Sequence, residues 1–176
     1  MLVPRDITAH SAAAQCKRWR SIGNTMKLIY REAEMSDVKE LVNLLADDEL
    51  GATREDQSKP LNQRYTDAYH SIANDPNNEL TVAVSDGNIV GMLQLTFIPY
   101  LTHTGSWRCL IEGVRISSSY RGKGLGSQLI EWAINRAKER NCSIVQLTSD
   151  KRRPDAIRFY ESHGFKATHA GFKLKI

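Results

Sequence analysis

The stretch VRISSSYRGKGLGS at residues 114–127 decides how this chain folds, because a strand-like run ends there in three closely spaced glycines. From Leu125 to Arg140, apolar side chains then recur at helical spacing. A glycine-rich turn between a strand and a helix leaves several backbone N–H groups unpaired at the helix N-terminus, where the helix dipole adds positive potential. This arrangement predicts the binding of an anion, and we expect a phosphate or pyrophosphate.

Two common phosphate-binding loops do not match this stretch. A P-loop requires Ser or Thr after its Gly-Lys pair, but Gly124 follows Gly122 and Lys123. A Rossmann turn that begins at Gly122 requires a third glycine where Ser127 stands. The structural alternative is a turn whose glycines only satisfy backbone geometry.

The regions on either side of the loop predict one mixed α/β domain. Period-two alternation and buried-type apolar runs predict strands at 27–33, 80–84, 89–98, 107–116 and 143–149, with one or two more within 165–176. Helical spacing and end signals predict helices that start at an N-cap Ser36 and stop near Gly51, and that cover 59–73, 125–140 and 154–163. Asp86-Gly87 between two strand-like runs predicts a hairpin turn.

Composition predicts a globular domain with a basic N-terminal extension. The chain has 176 residues, of which 41% are hydrophobic and 25% charged, values typical of a single folded domain. Residues 1–25 net +3 of the total charge of +4, so residues 26–176 net only +1. We therefore expect a disordered extension at 1–25 and the domain at 26–176. The small net charge of that domain argues against a nucleic-acid partner.

Cysteine usage and hydropathy exclude several other classes. Cys16, Cys109 and Cys142 are odd in number and show no C-x-x-C spacing, which argues against a disulfide framework and against a metal site. No apolar run approaches the length that a membrane span needs. We expect a cytoplasmic protein without a metal and without a membrane partner.

Two motifs together resemble one family. Arg121-x-x-Gly124-x-Gly126 matches the Arg/Gln-x-x-Gly-x-Gly/Ala signature of the GCN5-related N-acetyltransferase (GNAT) superfamily, and residues 156–165, AIRFYESHGF, resemble the family's second conserved stretch. The resemblance covers residues 26–176. It implies a GNAT-like fold of the mixed α+β class: a central, mostly antiparallel split sheet flanked by about four helices.

The resemblance also implies acetyl-coenzyme A as cosubstrate. The backbone of Val114–Ile116 would pair with the pantetheine arm, and the amides of Arg121–Ser127 would hold the pyrophosphate. Arg158, together with Arg153, would reach the 3′-phosphate, or these arginines are simply a charged helix entry. The implied cofactor-binding residues are Val114, Arg115, Ile116, Arg121, Gly122, Lys123, Gly124, Leu125, Gly126, Ser127 and Arg158.

Tyr160 is the candidate general acid. A thiol titrates at about 8.5 and a phenol at about 10, so a tyrosine hydroxyl protonates a departing thiolate without a large pKa shift. The position of Tyr160 in the second motif implies this role in the family. The alternative is a core aromatic residue beside Phe159.

Glu112 is the candidate general base. Strict alternation places it on one strand face with Leu110, Val114 and Ile116, where burial would raise its pKa toward a useful value. The alternative is a salt bridge with Arg108, Arg115 or another base. The stretch around Glu112 also resembles glucosamine-phosphate N-acetyltransferases, but Gly113 stands where those enzymes carry Asp.

These residues predict an N-acetyltransferase that moves an acetyl group from acetyl-coenzyme A to a primary amine of a small molecule or peptide. Transfer would be direct, in a ternary complex. The acidic string Asp47-Asp48-Glu49 indicates either a cationic acceptor or a solvated loop. The alternative function is an acyl-coenzyme A sensor or regulatory domain, and the resemblance also implies a homodimer.

Overall fold

The computed structural model describes residues 26–176, so the expected extension at 1–25 lies outside the described residues. The strands are β1 (Ile29–Glu32), β2 (Asn78–Ser85), β3 (Asn88–Pro99), β4 (Trp107–Ile116) and β5 (Cys142–Leu147). The helices are α1 (Val38–Ala46), α2 (Glu49–Ala52), α3 (Gln63–Ala73), the short turn α4 (Thr102–Gly105), α5 (Leu125–Glu139) and α6 (Pro154–Ser162). Short 3₁₀ turns at Met35–Asp37 and Ser118–Tyr120 precede α1 and α5.

The strands form one mixed sheet in the order β1-β2-β3-β4-β5. The first three pairings are antiparallel, and only β4 and β5 run parallel. The predicted hairpin is confirmed: Asp86 and Gly87 both have positive φ, 50° and 77°, as the tightest hairpin turns require. The mixed, mostly antiparallel sheet is therefore the one expected from the sequence.

Helices cover both faces of the sheet. On one face, α5 buries a stripe that includes Leu129 and Ile130 against Leu95 and Ile111. On the other face, α1 packs against β2 and β3 through a smaller cluster. That cluster consists of Leu41, Leu44, Val82 and Met92. Burial of each large apolar side chain contributes about 1.5–3 kcal/mol, so these two layers fix the position of the loop between β4 and α5.

A β-bulge in β4 changes which residues share a face. Met92 pairs with Arg115 and Gln94 with Glu112, so one residue of β3 lies opposite two residues of β4. Gly113 occupies the bulge with a φ of 60°, a conformation that suits glycine. After the bulge, side chains that alternation assigns to one face lie on the other.

The sheet splits beyond the last pair of β4 and β5. Their pairing ends at Ile111 and Leu147, while β4 continues to Ile116. From Glu112 onward the outer edge of β4 therefore has no neighbouring strand among the described residues. Helix α6 packs beside this opening, with Phe159 and Tyr160 against the core cluster.

Two sequence predictions at helix ends were wrong. Ser36 is not the cap, because the Asp37 carboxylate accepts the Glu34 N–H at 2.7 Å and also pairs with Arg31. Gly51 does not end the first helix, since α1 stops at Ala46 and Gly51 lies inside α2. The Asp37 carboxylate acts at a position that apolar spacing alone does not mark.

The predicted strands within 165–176 are also absent from the structure, where these residues form no regular element. Phe172 and Leu174 are 94% and 88% exposed. Alternation specifies a strand only where a neighbouring backbone completes its hydrogen bonds.

Candidate active site

The glycine loop presents a row of unpaired amides. Gly122 and Gly124 have φ of 75° and 78°, and a Cβ on either would meet no atom within 4 Å. The N–H groups of residues 122–127 donate to no backbone or side-chain acceptor in the described part of the chain. At Gly126, a Cβ would lie 3.4 Å from the Phe159 ring, so glycine there lets α6 pack against the start of α5. This open cradle at a helix N-terminus fits a pyrophosphate group.

The Arg121 side chain turns away from the cradle. Its Nε donates to the Ile116 carbonyl at 3.0 Å, and its Nη2 lies 3.3 Å from the Asp47 carboxylate. The Arg121 amide also donates, to Ser118 at 3.3 Å. Arg121 therefore ties the loop to the end of α1, and the row of free amides begins at Gly122.

Two further basic residues lie on the outside of this region. The Lys123 ammonium group sits 4.9 Å from the centre of the Tyr120 ring. Arg158 is two-thirds exposed and pairs with Asp155 on the surface of α6. Neither side chain is buried, so both charges are accessible to a ligand in solvent.

Glu112 lies at the split, but not on the predicted face. It is exposed, whereas Val114 and Ile116 pack into the core cluster on the opposite face. The predicted burial of Glu112 was wrong, because Glu112 alternates with the buried Cys109 and Ile111, and the bulge after it moves Val114 and Ile116 to the opposite face. Within residues 26–176 Glu112 makes no ion pair, so the alternative of a salt bridge with Arg108 or Arg115 is not what the structure shows.

Tyr160 combines packing with a free hydroxyl. Its ring contacts Phe159 and Phe165 edge-on, with centroids 5.3 and 5.9 Å away. The hydroxyl has no hydrogen-bond partner among the described residues. Burial raises the pKa of Tyr160 above its ordinary value, and the charges of Arg115 and Arg153 oppose that rise. The hydroxyl therefore keeps its proton at neutral pH.

An ionic cluster beside Tyr160 was missed by the sequence analysis. The Asp48 carboxylate lies 3.5 Å from Arg115 Nε and accepts from Arg153 Nη2 at 2.8 and 3.0 Å. It also accepts the Gly51 N–H at 2.7 Å as the N-cap of α2. Burial opposes ionisation of Asp48, but the Gly51 amide and the two guanidinium groups hold the pKa of that carboxyl below its usual value.

Two sequence expectations therefore change. The string Asp47-Asp48-Glu49 is not simply a solvated loop, because Asp47 and Asp48 bind arginines from distant elements. Arg153 is directed to Asp48 rather than outward to solvent. No local pattern signals a contact between residues 105 positions apart, so only the fold reveals this cluster.

Other classes of site find no support in the described residues. No cluster of three or more His, Cys, Asp or Glu side chains within 26–176 is suited to hold a metal ion. Among the same residues, none of the helices has the length and apolar character needed to cross a bilayer. Cys109 and Cys142 are free thiols.

Both a family model and curated relatives that match this chain are acetyltransferases. The family model described as "Acetyltransferase (GNAT) family" matches residues 39–165. An aminoalkylphosphonate N-acetyltransferase of Salmonella typhimurium is 31% identical over 110 residues, which are 62% of this chain and 71% of that protein. A glucosamine 6-phosphate N-acetyltransferase of Trypanosoma brucei is 34% identical over 51% of this chain and 59% of that protein.

A solved structure is similar over nearly all of the described residues. The crystal structure of a transcriptional regulator from Bacillus halodurans superposes with a TM-score of 0.82 and 56% identity. The match covers 85% of this chain and all of that one.

Proposed function

Because the chain belongs to the GNAT family of acetyltransferases, we propose that it transfers an acetyl group from acetyl-coenzyme A directly to a primary amine in a ternary complex. One observation carries the proposal: free amides at 122–127 adjoin a split in the sheet where Glu112 and the Tyr160 hydroxyl are both without partners. The acceptor is a small molecule or peptide.

The loop and the outer edge of β4 form the donor site. Bound there, acetyl-coenzyme A supplies an acetyl thioester. The amides of Gly122–Ser127 hold its pyrophosphate, and the unpaired edge at Val114–Ile116 holds the pantetheine arm. Lys123 and Arg158 add charge at the outer phosphates, while Arg121 positions the loop from behind. The residues present fit this group, since the cradle is open and its donors are unused.

Tyr160 and Glu112 divide the proton transfers between them. As the amine nitrogen bonds to the carbonyl carbon and the carbon–sulfur bond breaks, the Tyr160 hydroxyl gives its proton to the departing thiolate. Glu112, directly or through a water molecule, takes the proton that the amine loses. Charge is then balanced across the split, with Tyr160 recovering a proton from solvent after the products leave.

The substitution Tyr160→Phe tests the acid. It removes one hydroxyl and keeps the packing against Phe159 and Phe165, so turnover should fall by at least about 100-fold while acetyl-coenzyme A affinity is unchanged. Turnover is followed by thiol release and affinity by calorimetry. Tyr30→Phe is the matched control, because Tyr30 stacks on Trp132 away from the split.

A wild-type rate in Tyr160→Phe would show that another group protonates the thiolate. The same initial-rate data test the ternary complex, which gives intersecting lines when both substrates are varied. Parallel lines would indicate an acetylated enzyme instead.

A second candidate is favoured by the 56% identical protein of Bacillus halodurans, which is described as a transcriptional regulator. On this alternative the domain binds acetyl-coenzyme A as a sensor. Calorimetry followed by a thiol-release screen over polyamines, amino acids, aminosugars, aminoglycosides and peptide N-termini separates the two. Binding without release from any acceptor favours the sensor.

A further inference from the structure

Arg115 and Arg153, the arginine pair, converge on one carboxylate beside the split. Arg115 projects from β4 and Arg153 precedes α6, and both contact Asp48. Their side chains are only 12% and 30% exposed. Two guanidinium groups therefore share a single partner in a largely desolvated place, which leaves one positive charge in excess. Burial of an arginine is costly unless its charge and donors are matched.

The arginine pair also keeps unused donors. Arg115 donates from Nη1 to the Val114 carbonyl at 2.8 Å, and its buried Nε lies 3.5 Å from Asp48. Its Nη2 donates to no acceptor among the described residues. The Arg153 side chain donates only from Nη2, to Asp48. Among the described residues, nothing else accepts from these two groups. The free N–H groups and the excess charge both call for an anionic ligand with several oxygen acceptors.

The position of the pair fits an acceptor better than a cofactor phosphate. Arg115 lies on the same face of β4 as Glu112, opposite the face from which Val114 and Ile116 enter the core. The free amides for phosphates lie farther along the chain, at 122–127. Against the rise that burial causes, the charges of both arginines also act to lower the pKa of the Tyr160 hydroxyl.

Building on the proposed function, we propose that the amine acceptor carries an acidic group, a carboxylate, phosphonate or phosphate, which Arg115 and Arg153 bind while its amine faces Glu112. Asp48 is a positioning residue that orients both guanidinium groups. The cationic acceptor suggested by the acidic string Asp47-Asp48-Glu49 is thereby replaced by a zwitterionic one.

The test compares three probes of similar size with the full chain: 2-aminoethylphosphonate, 3-aminopropanoate and propylamine, each with saturating acetyl-coenzyme A. The wild type should show a much higher kcat/KM for one or both acidic probes than for propylamine. Arg115→Met and Arg153→Met should each lower that kcat/KM by about 10-fold to 100-fold, mainly through KM, because each removes a charge-assisted hydrogen bond. Rates with propylamine should fall much less than rates with the acidic probes, because propylamine has no acidic group for the arginines to bind.

Arg152→Met is the matched control for Arg153→Met, because the exposed neighbouring guanidinium pairs with Asp150 instead of Asp48. Arg153→Met also guards against misfolding of Arg115→Met, since Arg153 is the more exposed of the two. Thermal melts without ligand check both. The phosphonate and carboxylate probes show which acid the pair prefers.

Three results would overturn the inference and leave the proposed function standing. The first is equal acetylation of all three probes by the wild type. The second is a loss of activity in the arginine variants that is equally large with propylamine. The third is weaker binding of acetyl-coenzyme A to these variants with the acceptor preference intact. The last result would assign the pair to the cofactor. No thiol release with any amine of the wider screen, despite binding of acetyl-coenzyme A, would instead refute the transferase function and the inference with it.

Discussion

At the scale of single residues, the bulge at Gly113 decides which side chains of β4 share a face with Glu112. Glu112 alternates with the buried Cys109 and Ile111 and lies where β4 loses its neighbour, so its carboxylate is exposed at the split. The same bulge brings Arg115 to the Glu112 face.

The substitution Glu112→Gln should lower kcat/KM for the amine by about 100-fold at neutral pH, because the amide cannot accept the proton. The difference in kcat/KM between wild type and variant should become smaller as pH rises, because alkylammonium groups titrate at about 10.4 and a growing share of the amine is then already neutral. A pH profile of kcat/KM for wild type and variant measures this. Glu32→Gln, at the exposed end of β1, is the control.

A deficit that stays constant across the pH range would contradict a base role for Glu112 and favour a purely binding role.

At the scale of elements, most strands and helices follow from local patterns. The hairpin at 85–88, strand β4 and helix α5 match their predicted bounds within two residues, because each combines strong periodicity with a glycine or asparagine at its end. Asn141, with a φ of 57°, indeed terminates α5. Local signals of this kind act within a few residues and are therefore legible in sequence.

The features that sequence reasoning missed depend on partners remote in the chain. The bulge at Gly113 exists through its pairing with β3, and Asp48 meets Arg153 only after folding. The burial expected for Glu112 was therefore wrong, and its role as a site residue stays a prediction. The glycine loop was legible because one segment holds all of its donors.

The bulge predicts the behaviour of Gly113→Ala. A Cβ there meets no atom within 4 Å, so the cost is backbone strain at a φ of 60°. The free energy of unfolding should fall by about 1–2 kcal/mol. Gly105→Ala, with a φ of 70° and equally free space, should lose a similar amount in urea titrations.

The two variants should differ in activity. Relief of strain by loss of the bulge would leave Glu112 and Arg115 on opposite faces of β4, so Gly113→Ala should lose acetyl transfer well beyond its loss of stability. Gly105→Ala should keep the wild-type rate. Equal rates in both variants would mean that the bulge does not position the site.

At the scale of the whole molecule, the split sheet leaves a gap that a bound cofactor would fill. Helix α6 packs on Gly126 through Phe159. Beyond Ile111, β4 and β5 are no longer paired, and no other strand within residues 26–176 lies between them. A ligand held by the loop and by the free edge of β4 would fill this gap. Binding to the folded state alone stabilises it by mass action, about 2.7 kcal/mol at a concentration 100 times Kd.

Acetyl-coenzyme A at that concentration should raise the Tm of the wild type by roughly 5–10 °C, the shift expected for a chain of this size. Gly124→Glu should abolish the shift, because its side chain and negative charge enter the cradle. Gly87→Glu is the control, because Gly87 has the same positive φ and open space but lies in the β2–β3 turn. Without ligand it should have the same Tm as Gly124→Glu, and acetyl-coenzyme A should still raise its Tm. A persistent ligand shift in Gly124→Glu would place the pyrophosphate elsewhere. Loss of the ligand-induced Tm shift in both variants would mean that backbone strain spreading across the sheet, and not the side chain in the cradle, prevents binding. Since the two glycines are equally strained, the difference in Tm shift between the two variants measures the contribution of the cradle.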